Sequence, residues 1–218
     1  MDILIKNARL RKKEGTWDIG ITDGKIAKIE KSISEKADRE IDAGENLVTE
    51  SFLNAHLHLD KVYTLMMMTE DALKDYHAGG MGKAMTAIEA AAAVKDHYDE
   101  KWILPNVRRA VKLAALNGTT HIRALADVDT KARLEGVKAL LKAREEFKDI
   151  VELQVVAFPQ DGVAREPGAA ELVREAMEMG ADVVGGIPWI EYTEADEQDH
   201  QRSNRIEVLD RVQRKPTL

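Results

Sequence analysis

Regular alternation of strand and helix patterns is the feature that most restricts the fold of this chain. Two segments, residues 131–147 and 168–179, have apolar positions at helical spacing, and Gly180 ends the second. They separate three short segments typical of buried strands: residues 121–125, 151–158 and 181–187. Such alternation predicts a parallel sheet or a (β/α)8 barrel.

The number of these repeats is too small for a complete barrel. Residues 50–190 supply about four β/α units, whereas a barrel has eight and typically about 250 residues. The predicted fold class is therefore α/β: a partial (β/α)8 TIM barrel of about four units over residues 50–218, the N-terminal half of a barrel. We also expect a plain helix in the alanine-rich segment 84–93.

A different pattern occupies residues 1–49, where short alternating segments flank the hairpin signal Asp23-Gly24. This region predicts a small β-sandwich module that precedes the barrel half. It is too short to build an independent core easily, so it is expected to take up strands from elsewhere.

Composition excludes several function classes. Charged residues make up 33% of the chain and the net charge is −7, which argues against nucleic acid as a partner. The absence of cysteine excludes disulfides, thiol nucleophiles and cysteine-bound zinc. No segment has the pattern of a signal peptide or a membrane span, so we expect a soluble cytoplasmic protein without a membrane partner.

His56 and His58 stand two residues apart, and residues 47–53 before them predict a short buried strand. Side chains at i and i+2 of a strand point to the same side, so the two imidazoles can bind one metal ion. The alternative is an ordinary polar strand end with two solvated histidines. The strand context and the β/α alternation that follows favour a metal site.

Four segments, in order, resemble the first four barrel strands of the amidohydrolase superfamily, in its cytosine deaminase-like branch. The resemblance covers residues 1–195. The segments are residues 52–61 (FLNAHLHLDK), 118–123 (GTTHIR) followed by 127–129 (DVD), 153–162 (LQVVAFPQDG) and 180–188 (GADVVGGIP).

The resemblance implies a metal-dependent hydrolase that acts on C–N bonds of a small N-heterocyclic substrate. One divalent zinc or iron ion would activate a water molecule, with His56 and His58 as two of its ligands. Gln160 would bind the ring amide of the substrate. Trp189 could stack on a flat ring and Glu191 could reach into the site, but both could equally be packing or surface residues.

Two departures from the family limit what this chain is expected to do. Residues 186–189 contain no lysine where binuclear relatives have a bridging one, which favours one metal ion. The same departure argues against the alternative of a dihydroorotase-like or hydantoinase-like cyclic amidase. The third histidine ligand, the metal-binding aspartate and the catalytic histidine and glutamate of the family lie beyond the fourth strand. We therefore expect no catalytic residue in this chain, and weak or absent metal binding.

The last eighteen residues, 201–218, form a tail that does not align with the family. A change of reading frame near codon 200 would produce such a break. The second hypothesis is accordingly a truncated or frameshifted fragment that is not an enzyme. On either hypothesis, exposed sheet edges predict association into a homo-oligomer or with a missing C-terminal half.

Overall fold

The computed structural model describes residues 1–64, 94–191 and 193–202. The chain forms two compact units, Met1–Ser51 and Phe52–Leu218. The predicted helix over residues 84–93 and most of the predicted tail, from residue 203, lie outside the described residues.

A five-stranded sheet makes up the first unit. Strand β1 pairs antiparallel with β2 and parallel with both β4 and β5, and β2 pairs antiparallel with β3. The N-terminal β module is thus confirmed as a sheet, whereas a sandwich with a second sheet stays a prediction. The strands are β1 (Ile3–Leu10), β2 (Thr16–Thr22), β3 (Lys25–Glu30), β4 (Arg39–Asp42) and β5 (Leu47–Val48).

The predicted hairpin turn joins β2 and β3. Asp23 and Gly24 have φ angles of 51° and 69°. Positive φ at both central residues is what a type I′ turn requires, and Gly and Asp tolerate it better than most residues. The Asp-Gly pair therefore sets the register of this hairpin.

Four parallel strands in chain order, β6-β7-β8-β9, form the sheet of the second unit. The predicted fold class, a partial barrel of β/α units, is confirmed. Residues 194–202 are also helical. The remaining elements are β6 (Phe52–His58), α1 (Glu100–Leu116), β7 (Thr119–Asp127), α2 (Glu135–Phe147), β8 (Glu152–Phe158), α3 (Ala169–Met179) and β9 (Val183–Val184).

Among the described helices, none has the length and apolar character needed to cross a membrane. The cytoplasmic location stays a prediction.

The predicted buried strand over residues 47–53 is wrong. Val48 ends β5 in the first unit, and β6 begins at Phe52 in the second. The apolar residues Leu47, Phe52 and Leu53 are 62%, 64% and 66% exposed. The segment is apolar because it contains the ends of two strands, which belong to different sheets.

Two further elements are shorter than their patterns predict. Helix α2 begins at Glu135 rather than at residue 131. Asp129 Oδ1 accepts the backbone N–H groups of Lys131 and Ala132, and Arg133 has a φ of 52°, so this segment is a turn. Strand β9 has two residues instead of the predicted seven over residues 181–187.

The main hydrophobic core lies between the sheet and helices α1 and α2. Alternate residues of β7 and β8 contribute to it, as the period of a strand requires. Residues that alternate with them on the same two strands form a small second cluster, which consists of Leu125, Val156 and Phe158. Buried members of the main core include Ile122, Ala124, Leu153, Val155, Ile103, Val107, Val111, Val137 and Leu140.

Truncation of the core should show its contribution directly. Leu140 is fully buried on α2, so Leu140→Ala should lower the free energy of unfolding by about 2–5 kcal/mol in urea titrations. Leu116→Ala is the matched control, because Leu116 is 84% exposed and its truncation should change stability little. Equal losses in the two variants would contradict this assignment of the core.

Candidate metal centre and its buried ion network

His56 and His58 meet at the end of β6. A register shift between Asn54 and Leu57 marks a bulge that includes His56, and bulges re-aim side chains locally. The two Nε2 atoms are 3.3 Å apart, and the ring centroids are 5.1 Å apart in an edge-on arrangement. Two nitrogens on one tetrahedral zinc ion, each about 2.0–2.1 Å from it, are separated by about 3.3–3.4 Å. The pair therefore fits one ion.

The opposite edge of the His58 ring faces a buried carboxylate. His58 Nδ1 lies 3.7 Å from Asp127 Oδ1. Both atoms are buried, and neither has a hydrogen-bond partner among the described residues. A metal-binding histidine usually directs its second ring nitrogen at a carboxylate or carbonyl, which fixes the tautomer. The placement of Asp127 matches that arrangement.

A second set of potential ligands lies on this buried side. Atoms of His58, Asp60 and Asp127 lie within 4.8 Å of one another, the one such group in the described part of the chain. However, the ammonium groups of Lys61 and Lys95 lie 2.7 and 3.0 Å from Asp127 Oδ2. Two ammonium groups so close to Asp127 would strongly repel a metal ion bound to the same carboxylate. The Nε2 side of the histidines is therefore the better site for a metal cation.

Asp127 is fully buried and ionised. Burial by itself raises the pKa of this carboxyl group, but the Lys61 ammonium, the His58 ring and the Lys95 ammonium together lower the pKa well below its ordinary value. A permanent negative charge therefore lies beside His58, where it can accept a ring N–H.

Asp60 connects the turn after β6 to the end of β7. Its Oδ2 atom accepts the backbone N–H of Asp127 at 2.9 Å and the hydroxyl of Tyr98 at 3.2 Å. Burial and the neighbouring Asp127 charge raise the pKa of Asp60, and burial and Asp60 raise the pKa of Tyr98. Tyr98 thus stays a hydroxyl donor, and the segment that follows His58 is held to the sheet.

Gln160 follows β8 and is 6% exposed. Its Oε1 atom accepts a hydrogen bond of 2.7 Å from Lys61 Nζ, which also donates to Asp127. Because an ammonium only donates, this contact fixes the amide oxygen toward Lys61 and leaves the NH2 group for other partners. Lys61, a motif residue without an assigned role, links the predicted substrate residue to the carboxylate beside His58.

The two predicted residues of the next loop have different surroundings. Trp189 lies in the 3-10 turn Pro188–Ile190 and is 58% exposed, so its stacking role stays a prediction. Glu191 is buried beside His200, whose Nδ1 lies 2.7 Å from Glu191 Oε1. Both carboxylate oxygens are bonded to the loop after Gln160, which matches the packing role left open for Glu191, and a role in the site stays a prediction. The backbone donors are Val163, Ala164 and Arg165.

Glu191 should make stability depend on acid pH. Burial alone raises the pKa of this carboxyl group, but the backbone donors and His200 lower it below the ordinary 4.5. Its contribution is therefore present above about pH 4.5 and is lost as the pH falls through the lower folded value. The stability difference between wild type and Glu191→Gln should shrink as the pH falls below 4.5. A pH-independent difference in urea titrations would contradict this.

Sequence patterns did not indicate two of these buried residues. Lys95 and Tyr98 lie outside the motif segments, and a lysine followed by an aspartate usually predicts a surface position. Asp127 belongs to a motif segment, but no role was predicted for it. The only indication of a role was its position at the end of a strand. The histidine pair and Gln160 were the residues that spacing and motif indicated, and Lys61 brings Gln160 into the same cluster.

Comparison with known proteins gives a consistent set of matches. The profile described as Amidohydrolase family matches residues 39–215, a range that includes most of the tail that was not expected to align. An N-isopropylammelide isopropyl amidohydrolase from Pseudomonas sp. (strain ADP) is 36% identical over 186 residues, which cover 85% of this chain and 45% of that protein. A dihydroorotase from Bacillus cytotoxicus is 28% identical over 192 residues, covering 83% and 40%.

Among solved structures, 5-methylcytosine deaminase from Klebsiella pneumoniae, liganded with 5-fluorocytosine, superposes with a TM-score of 0.82 at 29% identity. The match covers 95% of this chain and 48% of that one. The chain therefore spans about half the length of the relatives that it matches.

Proposed function

Because the chain belongs to the amidohydrolase family, we propose that it forms the metal-binding first half of a hydrolase barrel that acts on a C–N bond of a small N-heterocycle. The observation that supports this most is the Nε2 pair of His56 and His58, 3.3 Å apart at the carboxyl end of β6. In barrels of this type the chemistry takes place at the carboxyl ends of the strands.

Different residues of this chain would bind the metal ion and the substrate. His56 and His58 would hold one zinc or iron ion, which lowers the pKa of a bound water and polarises the substrate. Asp127 orients the His58 ring through Nδ1. Gln160, fixed by Lys61, would bind the ring amide through its NH2 group.

The relatives narrow the proposed substrate class. The Klebsiella enzyme was solved with 5-fluorocytosine, and the Pseudomonas enzyme acts on N-isopropylammelide. Both compounds are small flat N-heterocycles with an exocyclic C–N bond. Hydrolytic loss of ammonia or an amine is the reaction we propose, with Trp189 as the stacking residue.

A cyclic amidase is the second candidate, favoured by the similarity to dihydroorotase over 192 residues. Residues 183–190 contain no lysine, however, where binuclear cyclic amidases have a bridging one. Hydrolysis of dihydroorotate in preference to a heterocyclic amine would support this alternative. The third hypothesis, a fragment that is not an enzyme, stays a prediction.

Turnover by a completed barrel tests the proposal. This chain, joined to the second barrel half of the Pseudomonas relative and loaded with Zn²⁺ or Fe²⁺, should release ammonia from cytosine or isopropylamine from N-isopropylammelide. Gln160→Ala should lower kcat/KM by roughly tenfold to a hundredfold, since an unmet polar group in a closed site costs about 1–3 kcal/mol.

The control for this substitution is Gln154→Ala on the same strand. Gln154 Oε1 accepts from Arg123 Nε at 2.7 Å, away from the Lys61 contact, and its truncation should leave kcat/KM unchanged. Unaltered kinetics in Gln160→Ala would exclude Gln160 from the site.

A further inference from the structure

Lys95 is a fully buried lysine that none of the family motifs includes. Its Nζ atom lies 2.8 Å from Asp129 Oδ2, and 3.0 Å from both Asp127 Oδ2 and Asp161 Oδ2. Three carboxylates therefore surround this ammonium, and Asp129 accepts a hydrogen bond from it. The buried ion network thus consists of Lys61, Lys95, Asp127, Asp129 and Asp161.

The partners of Lys95 come from separate parts of the second unit. Asp127 ends β7, Asp129 lies in the turn after it, and Asp161 follows β8. Lys95 itself precedes α1 in the chain. One side chain therefore joins the carboxyl ends of two neighbouring strands to the segment before the first described helix.

Two routes lead from Lys95 to Gln160. In the first, Asp127 Oδ2 contacts both Lys95 and Lys61, and Lys61 donates to Gln160 Oε1 at 2.7 Å. In the second, Lys95 holds Asp161, the residue next to Gln160 in the chain. Both the side chain and the backbone of Gln160 are therefore restrained by the same ammonium.

A third route leads to the histidine pair. Asp127 Oδ1 faces His58 Nδ1, while Oδ2 of the same carboxylate lies 3.0 Å from Lys95. Lys95 thereby limits how far the Asp127 carboxylate can turn. The carboxylate that Lys95 contacts is thus the one that faces the His58 ring, where a ring N–H would find its acceptor.

We propose that Lys95 is a positioning residue of the hydrolase site, which holds Gln160 and the Asp127 carboxylate in place through the buried ion network. The inference rests on the proposed function, because the proposed function is what assigns Gln160 to the substrate and His58 to the metal ion. Buried ion networks are weak contributors to stability relative to apolar packing, and fixing the relative position of polar groups is the better reason for one. Lys95 contacts neither Gln160 nor His58 directly, so it acts through the aspartates.

The variants must keep the buried charges balanced. Lys95→Met alone would leave three carboxylates without their common cation and risks unfolding. Lys95→Met/Asp129→Asn removes one charge of each sign, and the asparagine amide keeps an oxygen that can accept the N–H groups of Lys131 and Ala132. Asp161→Asn is a milder second variant, since the Asp161 side chain is 20% exposed and Lys95 would retain two partners.

Side-chain amide NMR of the complete 218-residue chain, without metal, is the readout. The Gln160 NH2 signals, assigned by their loss in Gln160→Ala, should exchange with solvent at least about tenfold faster in both variants. The Gln154 NH2 signals serve as the internal reference and should not change. Lys138→Met is the matched control, because the Lys138 side chain is 42% exposed and pairs only with Glu135 among the described residues.

Unchanged Gln160 exchange in Asp161→Asn, or in a folded Lys95→Met/Asp129→Asn chain, would overturn the proposal. Faster exchange that extends equally to Gln154 would also overturn it, since that result shows a merely structural role. A Zn²⁺ titration of the chain joined to the second barrel half separates this inference from the proposed function. Absent zinc binding in that completed barrel would refute the metal site, whereas the Gln160 signals report on Lys95 without any metal.

Discussion

In the chain joined to the second barrel half, Zn²⁺ affinity should fall more than about 100-fold in His58→Ala and should also fall in His56→Ala, because each variant removes one of the two nitrogens that meet at the end of β6. Isothermal titration with Zn²⁺, or the absorption of bound Co²⁺, measures this loss. His58→Ala should show the larger effect, since it also leaves the Asp127 carboxylate without its ring partner.

His121→Ala is the matched control for the metal titration. His121 is exposed on β7 and lies 3.5 Å from the exposed Glu152 carboxylate, so it is a histidine of the same unit outside the proposed site. Its removal should leave Zn²⁺ affinity unchanged. Equal losses in His121→Ala and His58→Ala would mean that Zn²⁺ binds adventitiously to surface imidazoles.

Loss of the Asp127 charge should destabilise the second unit strongly. Asp127→Asn leaves the Lys61 and Lys95 ammonium groups without their shared carboxylate, and breaking a buried ion pair costs about 3–5 kcal/mol. Urea unfolding measures the loss. Asp149→Asn, an exposed substitution of the same kind, should change stability by less than about 0.5 kcal/mol. A loss below about 1 kcal/mol in Asp127→Asn would contradict the ionised state of Asp127.

The features that sequence predicted well depend on local spacing. Alternation of strand and helix patterns predicted the parallel sheet, and an Asp-Gly pair predicted the β2–β3 turn. His56 and His58 are two residues apart on a strand, and that spacing places their rings together. Gln160 was predicted from its motif. In the structure Lys61 donates both to Gln160 and to the Asp127 carboxylate beside His58.

The features that sequence missed depend on contacts between distant residues. Lys95 contacts Asp129 and Asp161, which follow it by 34 and 66 positions, and no local pattern indicates such pairs. For Glu191 the sequence left a site role and a packing role open, and the backbone of residues 163–165 donates to both of its oxygens. The hydrogen bonds of Glu191 to this distant loop cannot be predicted from the sequence of the strand that precedes Glu191.

The incorrect strand over residues 47–53 has a related cause. An apolar run reports only that residues favour burial, and it does not show that they share one strand. Here the boundary between the two units falls at Ser51, within the run. The run itself contains no glycine or proline that would have indicated the break.

X-ray absorption spectroscopy of the zinc-loaded chain identifies the atoms that bind the ion. The histidine pair predicts two imidazole nitrogens at about 2.0–2.1 Å from zinc, with one of them lost in either His56→Ala or His58→Ala. A single imidazole that persists in His56→Ala, with carboxylate oxygens as the other ligands, would place the ion among His58, Asp60 and Asp127 instead. Such a result would contradict the proposed metal centre.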